Sequence, residues 1–227
     1  MSQETQNKEF RPLPKDEIWQ TLVSEPGIAV GIVTIDGLIL FANEQVARMY
    51  GHHSTEDLIG RTFHETFPPP WADERVALIR RVIESDTTIT VRTIWNGRQI
   101  RSTYRSIESG DDDEKRVLII SHQGSVGQAD TGEVFESEVV NFGELEVLTT
   151  KELEVLALLG QGLRLKEIAS ALHRSPKTID NHRTSIGRKL KLTDRVDLAQ
   201  VAAEAGLEIR DAKRKRVGQR SVPSSSE

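Results

Sequence analysis

Between Lys177 and Lys191 the chain gathers side chains that donate or accept several hydrogen bonds, set at helical spacing. Lys177, Asp180, Asn181, Thr184 and Arg188 fall on one side of a helix, and Ile179, Ile186 and Leu190 recur on the other as a buried stripe. The chemistry this pattern suits is recognition, not bond-making: Lys, Asn and Thr near a helix N-terminus fit base edges in the major groove of DNA. Asn pairs bidentately with adenine, and Asp accepts from the cytosine amino group. Arg183, Arg188, Lys189 and Lys191 are better placed to hold phosphates, which sets register without reading sequence. Lys166 and Thr178 complete the phosphate-contacting set. A solvated charged face on a helical bundle has a similar composition, but it lacks the capping and turn signals found here. His182 borders the buried stripe. A hydrogen-bonding or phosphate-touching role suits it better than general base, since no nucleophile–base pair, phosphate loop or metal motif accompanies it. The chain is therefore not expected to be an enzyme.

The elements that must position those residues are legible upstream. Thr149 and Glu152 form a Thr-x-x-Glu capping box ahead of Leu153, Val155, Leu156, Leu158 and Leu159. Gly160 and Gly162 are expected to end that helix. Lys166 to His173 predicts a second short helix burying Ile168, Ala169 and Leu172. Ser175 then caps a third helix whose first residue is Pro176, where a missing N–H costs nothing. Scaffold helix, tight turn and capped donor-rich helix make a helix-turn-helix, with double-stranded DNA as the expected partner.

The chain has 227 residues, enough for two small domains, and its charge divides at the same place. Residues 148–227 carry 16 Lys and Arg against 10 Asp and Glu, whereas residues 1–147 carry 14 against 25. A basic module thus follows an acidic one, as expected of a DNA-binding end joined to a separate domain. The absence of cysteine excludes disulfides, thiolate nucleophiles and Cys-ligated metal. With no signal peptide or long apolar run, a cytoplasmic protein without a membrane partner is expected.

Before residue 124 the pattern changes to short strands with a few helices. Ile28 to Ile35 and Leu38 to Phe41 read as strands joined by an Asp36-Gly37 turn. Asn43 caps a short helix carrying Val46, Ala47 and Tyr50, and Trp71 to Ile83 reads as a longer amphipathic helix. Three strands follow at Thr88–Trp95, Gln99–Ile107 and Arg116–Ser121, with Asn96-Gly97 as a hairpin turn and Asp111–Asp113 as a loop. This order predicts an α+β domain, an antiparallel sheet with helices on one side.

Two resemblances carry these readings further. The C-terminal segment resembles the LuxR-type (GerE-like) helix-turn-helix of bacterial transcription regulators. Leu148-Thr149-Thr150-Lys151-Glu152-Leu153-Glu154-Val155-Leu156 matches its opening, and Gly162 with Lys166-Glu167-Ile168-Ala169 its middle. Ser175, Thr178, Ile179, His182, Lys189 and Leu190 match its third helix. The resemblance implies base-facing positions for Asp180, Asn181 and Thr184, with Lys177 beside them. Asp180 departs from the basic residue many relatives carry, which either weakens non-specific affinity or selects a cytosine. A fourth, often dimerising helix is implied as well. Thr193 or Asp194 would cap it, Val196, Ala199, Val201 and Ala203 are its apolar positions, and Gly206 stops it. The N-terminal half resembles a PAS domain through Asp36-Gly37, Phe41-Ala42-Asn43, Met49-Tyr50-Gly51 and Leu58-Ile59-Gly60.

The expected organisation is a flexible N-terminus at 1–17, a PAS-like sensor or dimerisation domain at 18–123 and a linker at 124–147. An all-α, four-helix DNA-binding domain at 148–210 and a basic, Ser-rich tail at 211–227 complete it. The linker's Val134, Phe135, Val139, Val140 and Phe142 suit a signalling helix or a tether, and Gly127, Gly132 and Gly143 oppose one long helix. The basic run from Lys213 to Arg216 either adds phosphate contacts or is a solvated tail.

No cofactor is expected. Flavin-trapping PAS domains need a reactive cysteine, and haem-binding ones place a histidine on the long helix, which has none here. His52, His53 and His64 lack acidic partners at metal spacing. Between sheet and long helix lies either a small unidentified ligand or a core filled by Ile32, Leu40, Ile79, Ile94 and Val117. Trp71 and Trp95 suit either core or interface. The reading that follows is a homodimeric regulator of transcription that senses a signal or dimerises through its PAS-like half. RNA polymerase or a signalling protein is a further partner. The alternative is a PAS-based adaptor that docks a partner protein, with DNA binding secondary. A phosphorelay receiver is rejected, because the late strands run on without intervening helices.

Overall fold

The computed structural model describes residues 14–108, 114–124, 133–192 and 194–218. Its first helix, α1 (Lys15–Ser24), begins inside the stretch expected to be loose. Strands β1 (Ile28–Val33) and β2 (Ile39–Ala42) follow, joined through a turn in which Gly37 N–H donates to Thr34 O at 3.0 Å. Asn43 then caps α2 (Glu44–Tyr50), accepting from Val46 N at 3.2 Å. Its amide also donates to Val23 O and Ile28 O at 2.7 and 2.8 Å, so one side chain pins the helix start to the strand beside it. Short α3 (Phe63–Thr66) precedes the long helix α4 (Pro69–Ser85), which opens on prolines that need no N–H partner.

Strands β3 (Ile89–Trp95), β4 (Arg98–Glu108) and β5 (Lys115–Gln123) complete an antiparallel sheet over which α4 lies. Asn96 and Gly97 take φ of 48° and 71°, the consecutive left-handed pair a two-residue hairpin turn requires. Tyr50, Phe63, Phe67, Trp71 and Trp95 pack ring against ring beneath α4, with centroids 4.3–5.7 Å apart. Both tryptophans are therefore core. Of the five expected core residues, Ile79 and Val117 join this cluster. Ile32 and Leu40 do not: Ile32 is half-buried and Leu40 is 37% exposed. Strand alternation sends them to the opposite face of the sheet. Ile94 is buried, but on that same opposite face, in a second core shared with the C-terminal helices.

That second core changes the linker. Residues expected to be a tether or signalling helix form β6 (Glu133–Glu136), parallel to β3 at the sheet edge, then β7 (Val139–Val140). The six-stranded order is β2-β1-β5-β4-β3-β6. After a 3-10 turn at Gly143–Val147 come α5 (Thr150–Gly160), α6 (Leu165–Ala171), α7 (Pro176–Lys189) and α8 (Arg195–Ala205). Asp194 caps α8 through Val196 N at 3.1 Å, and Thr193 lies outside the described residues.

The start of the expected tail is likewise structured. Ile209–Lys213 form a 3-10 turn, and β8 (Lys215–Arg216) pairs with β7 in parallel. Asp211 is fully buried, and it meets Arg92 of β3 through Nη1 at 2.8 Å and Nη2 at 2.7 Å. Glu136 accepts from Arg92, Arg210 and Arg214 at 3.3, 3.1 and 2.5 Å. Arg210, Arg214 and Arg216 are thus engaged with Glu136, Glu208, Asp211 and Glu146, not held free for phosphates. The expected loop at Asp111–Asp113, Gly127, Gly132 and the Ser-rich end lie outside the described residues.

Candidate nucleic-acid interface

Helix α5 is the scaffold. Its capping box is complete: Glu152 N donates to Thr149 Oγ1 at 3.3 Å, and Thr149 N returns to Glu152 Oε2 at 2.8 Å. The same carboxylate reaches across to α7, where Ser185 Oγ donates to Oε1 at 2.7 Å and Lys189 Nζ to Oε2 at 2.6 Å. Burial works against ionising Glu152, but the Lys189 ammonium and the Thr149 and Ser185 donors outweigh it and hold its pKa at about 2. One buried anion therefore both starts α5 and fixes α7 upon it. Sequence reading missed this second role, since nothing local marks residues 33 and 37 positions apart as partners.

Helix α7 presents the expected faces. Ile179 and Ile186 are fully buried and Leu190 half-buried. Ser175 Oγ accepts from Thr178 N at 3.1 Å, and the two hydroxyls lie 2.8 Å apart. Lys177, Asn181, Thr184, Arg188 and Lys191 are exposed, as is Lys166 on α6. Thr184 Oγ1 donates back to Asp180 O at 2.9 Å. Among the described residues no protein group holds the side chains of Lys177, Asn181, Arg188, Lys191 or Lys166. Asp180 and Arg183 are less free, joined at 2.6 Å across one helical turn. Lys189 is committed to Glu152, so its charge is spent inside the module. His182 is half-buried beside Lys151, Glu154 and Thr178 at a shallow groove.

The two glycines at the end of α5 do different work. Gly162, at φ +81°, turns the chain after α5, but Gly160 is the last residue of the helix itself. A Cβ there would lie 2.3 Å from Ala202 O of α8, so Gly160 is small to let two helix backbones meet. On α8, Leu198, Ala202 and Ala205 face inward, whereas Val196, Ala199 and Ala203 are exposed.

The other half of the chain holds a cavity of about 40 Å³ between sheet and α4. Val33, Ile39, Phe67, Trp71, Tyr104 and Ser121 are among its walls, and no charged side chain lines it. Trp71 Nε1 is buried with no hydrogen-bond partner among the described residues, and burial pushes the Tyr104 phenol well up. The Arg75 guanidinium sits over the Trp71 indole ring, 4.8 Å from its centroid. His64 pairs with Asp73 at 2.8 Å, and burial lowers the pKa of His52, which packs on Phe67. Among the described residues no three His, Asp or Glu side chains group as metal ligands. No described helix is long and apolar enough to cross a membrane.

Residues 146–202 match the family of bacterial regulatory proteins called the luxR family, and residues 27–123 match the PAS fold. Residues 27–123 are thus similar to a PAS domain, and the luxR-family match follows them in the chain. A transcriptional regulatory protein of Bacillus subtilis, LnrK, is 40% identical over 73 residues, covering 32% of this chain and 33% of that protein. The response regulator VraR of Staphylococcus saprophyticus is 32% identical over 118 residues, covering 46% and 56%. The chain thus spans about half the length, or less, of these curated relatives. A Vibrio cholerae VqmA structure, described as a ligand–DNA complex, is similar over 90% of this chain and 94% of its own. Its TM-score is 0.51 at 21% identity, a likeness of fold.

Proposed function

We propose that this protein is a sequence-specific DNA-binding regulator of bacterial transcription. In this reading the PAS unit, residues 18–123, senses a signal or dimerises, and the luxR-family module, residues 148–210, binds the operator. The observation that carries the reading is the face of α7. Lys177, Asn181, Thr184 and Arg188 stand exposed along one side of a helix whose other side is anchored by Ile179, Ile186 and the Glu152 clamp. Asn181 and Thr184 read base edges, with Lys177 and Asp180 beside them, while Arg188, Lys191, Lys166, Thr178 and Arg183 hold phosphates. A homodimer presents two such helices to half-sites about one helical turn apart. The exposed Val196, Ala199 and Ala203 of α8 support pairing there, being apolar residues three and four positions apart. No enzymatic step is assigned, and a cytoplasmic location is part of this reading, in keeping with DNA as the partner.

The PAS cavity is read as the place of a small uncharged ligand. Its walls carry no charge, and the Trp71 indole N–H, unpartnered among the described residues, is a donor that a ligand acceptor would satisfy. The description of VqmA as a ligand–DNA complex is consistent with both halves of this reading. Because ordinary ligand pockets measure about 300 Å³ or more, entry requires the walls to part.

The test is selection of duplexes from a random pool by the full-length protein, then fluorescence anisotropy across a salt series. A selected duplex bound at least ~10³-fold more tightly than its scrambled version, with affinity falling steeply in salt, is the expected result. Weak, sequence-blind binding would instead favour the adaptor.

A further inference from the structure

The two halves meet through the second apolar core and a buried polar clasp, and that clasp is connected to the wall of the PAS cavity. Trp71 lines the cavity, and Arg75, one turn along α4 and 1% exposed, lies over its ring. Arg75 pairs with Glu74 through Nη1 and reaches Ser137 Oγ at 3.4 Å through Nη2. Ser137 Oγ lies 2.6 Å from Glu74 Oε1, and Glu74 Oε2 accepts from Glu138 N at 2.8 Å. Glu74 and Arg75 therefore hold the chain at the point where β6 leaves the sheet. The neighbouring residue, Glu136, holds Arg92, Arg210 and Arg214, and Ser137 N donates to Arg92 O at 3.0 Å. Arg92 in turn makes the two-point contact with Asp211 of the 3-10 turn after α8, which packs with the C-terminal helices in the second core and so helps seat the module on the sheet.

We propose that Arg75 is a positioning residue that transmits the filling of the PAS cavity to the docking of the DNA-binding module. An occupant that parts the walls displaces Trp71. Arg75 moves with the ring, loosens Ser137 and Glu74, and draws Glu136 away from the Arg92–Asp211 clasp. The two-state element is the docked or released module. Its seat combines the shared apolar core around Ile94, Phe142 and Leu145 with the Arg92–Asp211 pair, whose charged partners regain water on release and so offset part of the cost of separation. The inference rests on the proposed reading of the PAS half as sensory. Filling the cavity by substitution keeps it independent of any ligand's identity.

The cysteine-free chain allows the module's position to be measured directly. Nitroxide labels at Glu84→Cys and Gln161→Cys, both exposed, report the distance between α4 and the end of α5. Double electron–electron resonance on full-length protein, diluted with unlabelled protein, isolates the distance within one chain. Ile119→Phe, or the milder Ala42→Val if the first fails to fold, adds bulk at the cavity. The filled variant is expected to raise the ratio of released to docked module at least about tenfold. Arg75→Gln, or the gentler Ser137→Ala, should suppress that rise and leave the module docked. Arg92→Gln should release the module roughly a hundredfold whatever the cavity holds. An equal response to filling with and without Arg75 overturns the proposal, and so does no response to filling in any background. Anisotropy with the selected duplex separates the two readings. Lost DNA recognition with an intact distance response sinks the regulator alone, and the reverse sinks the coupling alone.

Discussion

Arg92 and Asp211, 119 positions apart in sequence, meet fork to carboxylate at 2.8 and 2.7 Å, and neither is open to water. A paired buried charge adds little net stability, but leaving one partner alone is expensive. Asp211→Ala should therefore lower unfolding free energy by about 3–5 kcal/mol, while replacing both residues with apolar side chains restores much of it. Urea unfolding of both singles and the double variant gives the coupling. Losses that simply add would show that the two side chains are neighbours only.

Glu152 makes the luxR-family module sensitive to acid. Its carboxyl titrates at about 2 in the folded chain against 4.5 ordinarily, so folding favours the ionised form. The stabilisation is complete above the ordinary value and drains away as pH falls from about 4.5 towards 2. Glu152→Gln should cost about 1.5–3 kcal/mol at neutral pH, the worth of hydrogen bonds to a charged group. Parallel unfolding curves at descending pH should show wild type and variant converging. A gap of constant size would mean that the carboxylate charge is not what joins α5 to α7.

Gly160→Ala separates helix propensity from packing. Propensity alone favours alanine by about 1 kcal/mol. The contact with Ala202 O, 2.3 Å from an added Cβ, predicts the opposite sign. We expect a fall in thermal midpoint, as overpacking costs about 1–3 kcal/mol. A raised midpoint would mean that α8 moves aside at no cost.

Three substitutions on α7 divide the work of binding. Asn181→Ala should narrow the gap between selected and scrambled duplexes by about 1–3 kcal/mol. Arg188→Ala should weaken both equally and reduce the salt slope by about one. Lys189→Ala should act mainly on stability, because its ammonium is held by Glu152 at 2.6 Å. Matching losses on both duplexes for Asn181→Ala and Arg188→Ala would remove the distinction between base and phosphate contacts.

Local chemistry made much of this protein legible without coordinates. Thr149 with Glu152, Ser175 with Pro176, and Asn43 each satisfy helix N–H groups within a few residues, so their positions mark where helices begin. The Asn96-Gly97 turn and the alternating strands around it are equally local. So is the division of α7 into an apolar stripe and an exposed polar face, which 3.6-residue periodicity dictates. From these the sequence by itself determined two modules, a helix-turn-helix and the residues on its open side. Tertiary structure decided what those signals cannot encode. It assigned β6 to the sheet, turned Ile94 toward the second core, tied Lys189 to Glu152 and paired Arg210, Arg214 and Arg216 with acidic partners. Each outcome depends on residues dozens of positions apart, and a charge or an apolar side chain has no preferred partner until the chain has brought one within reach.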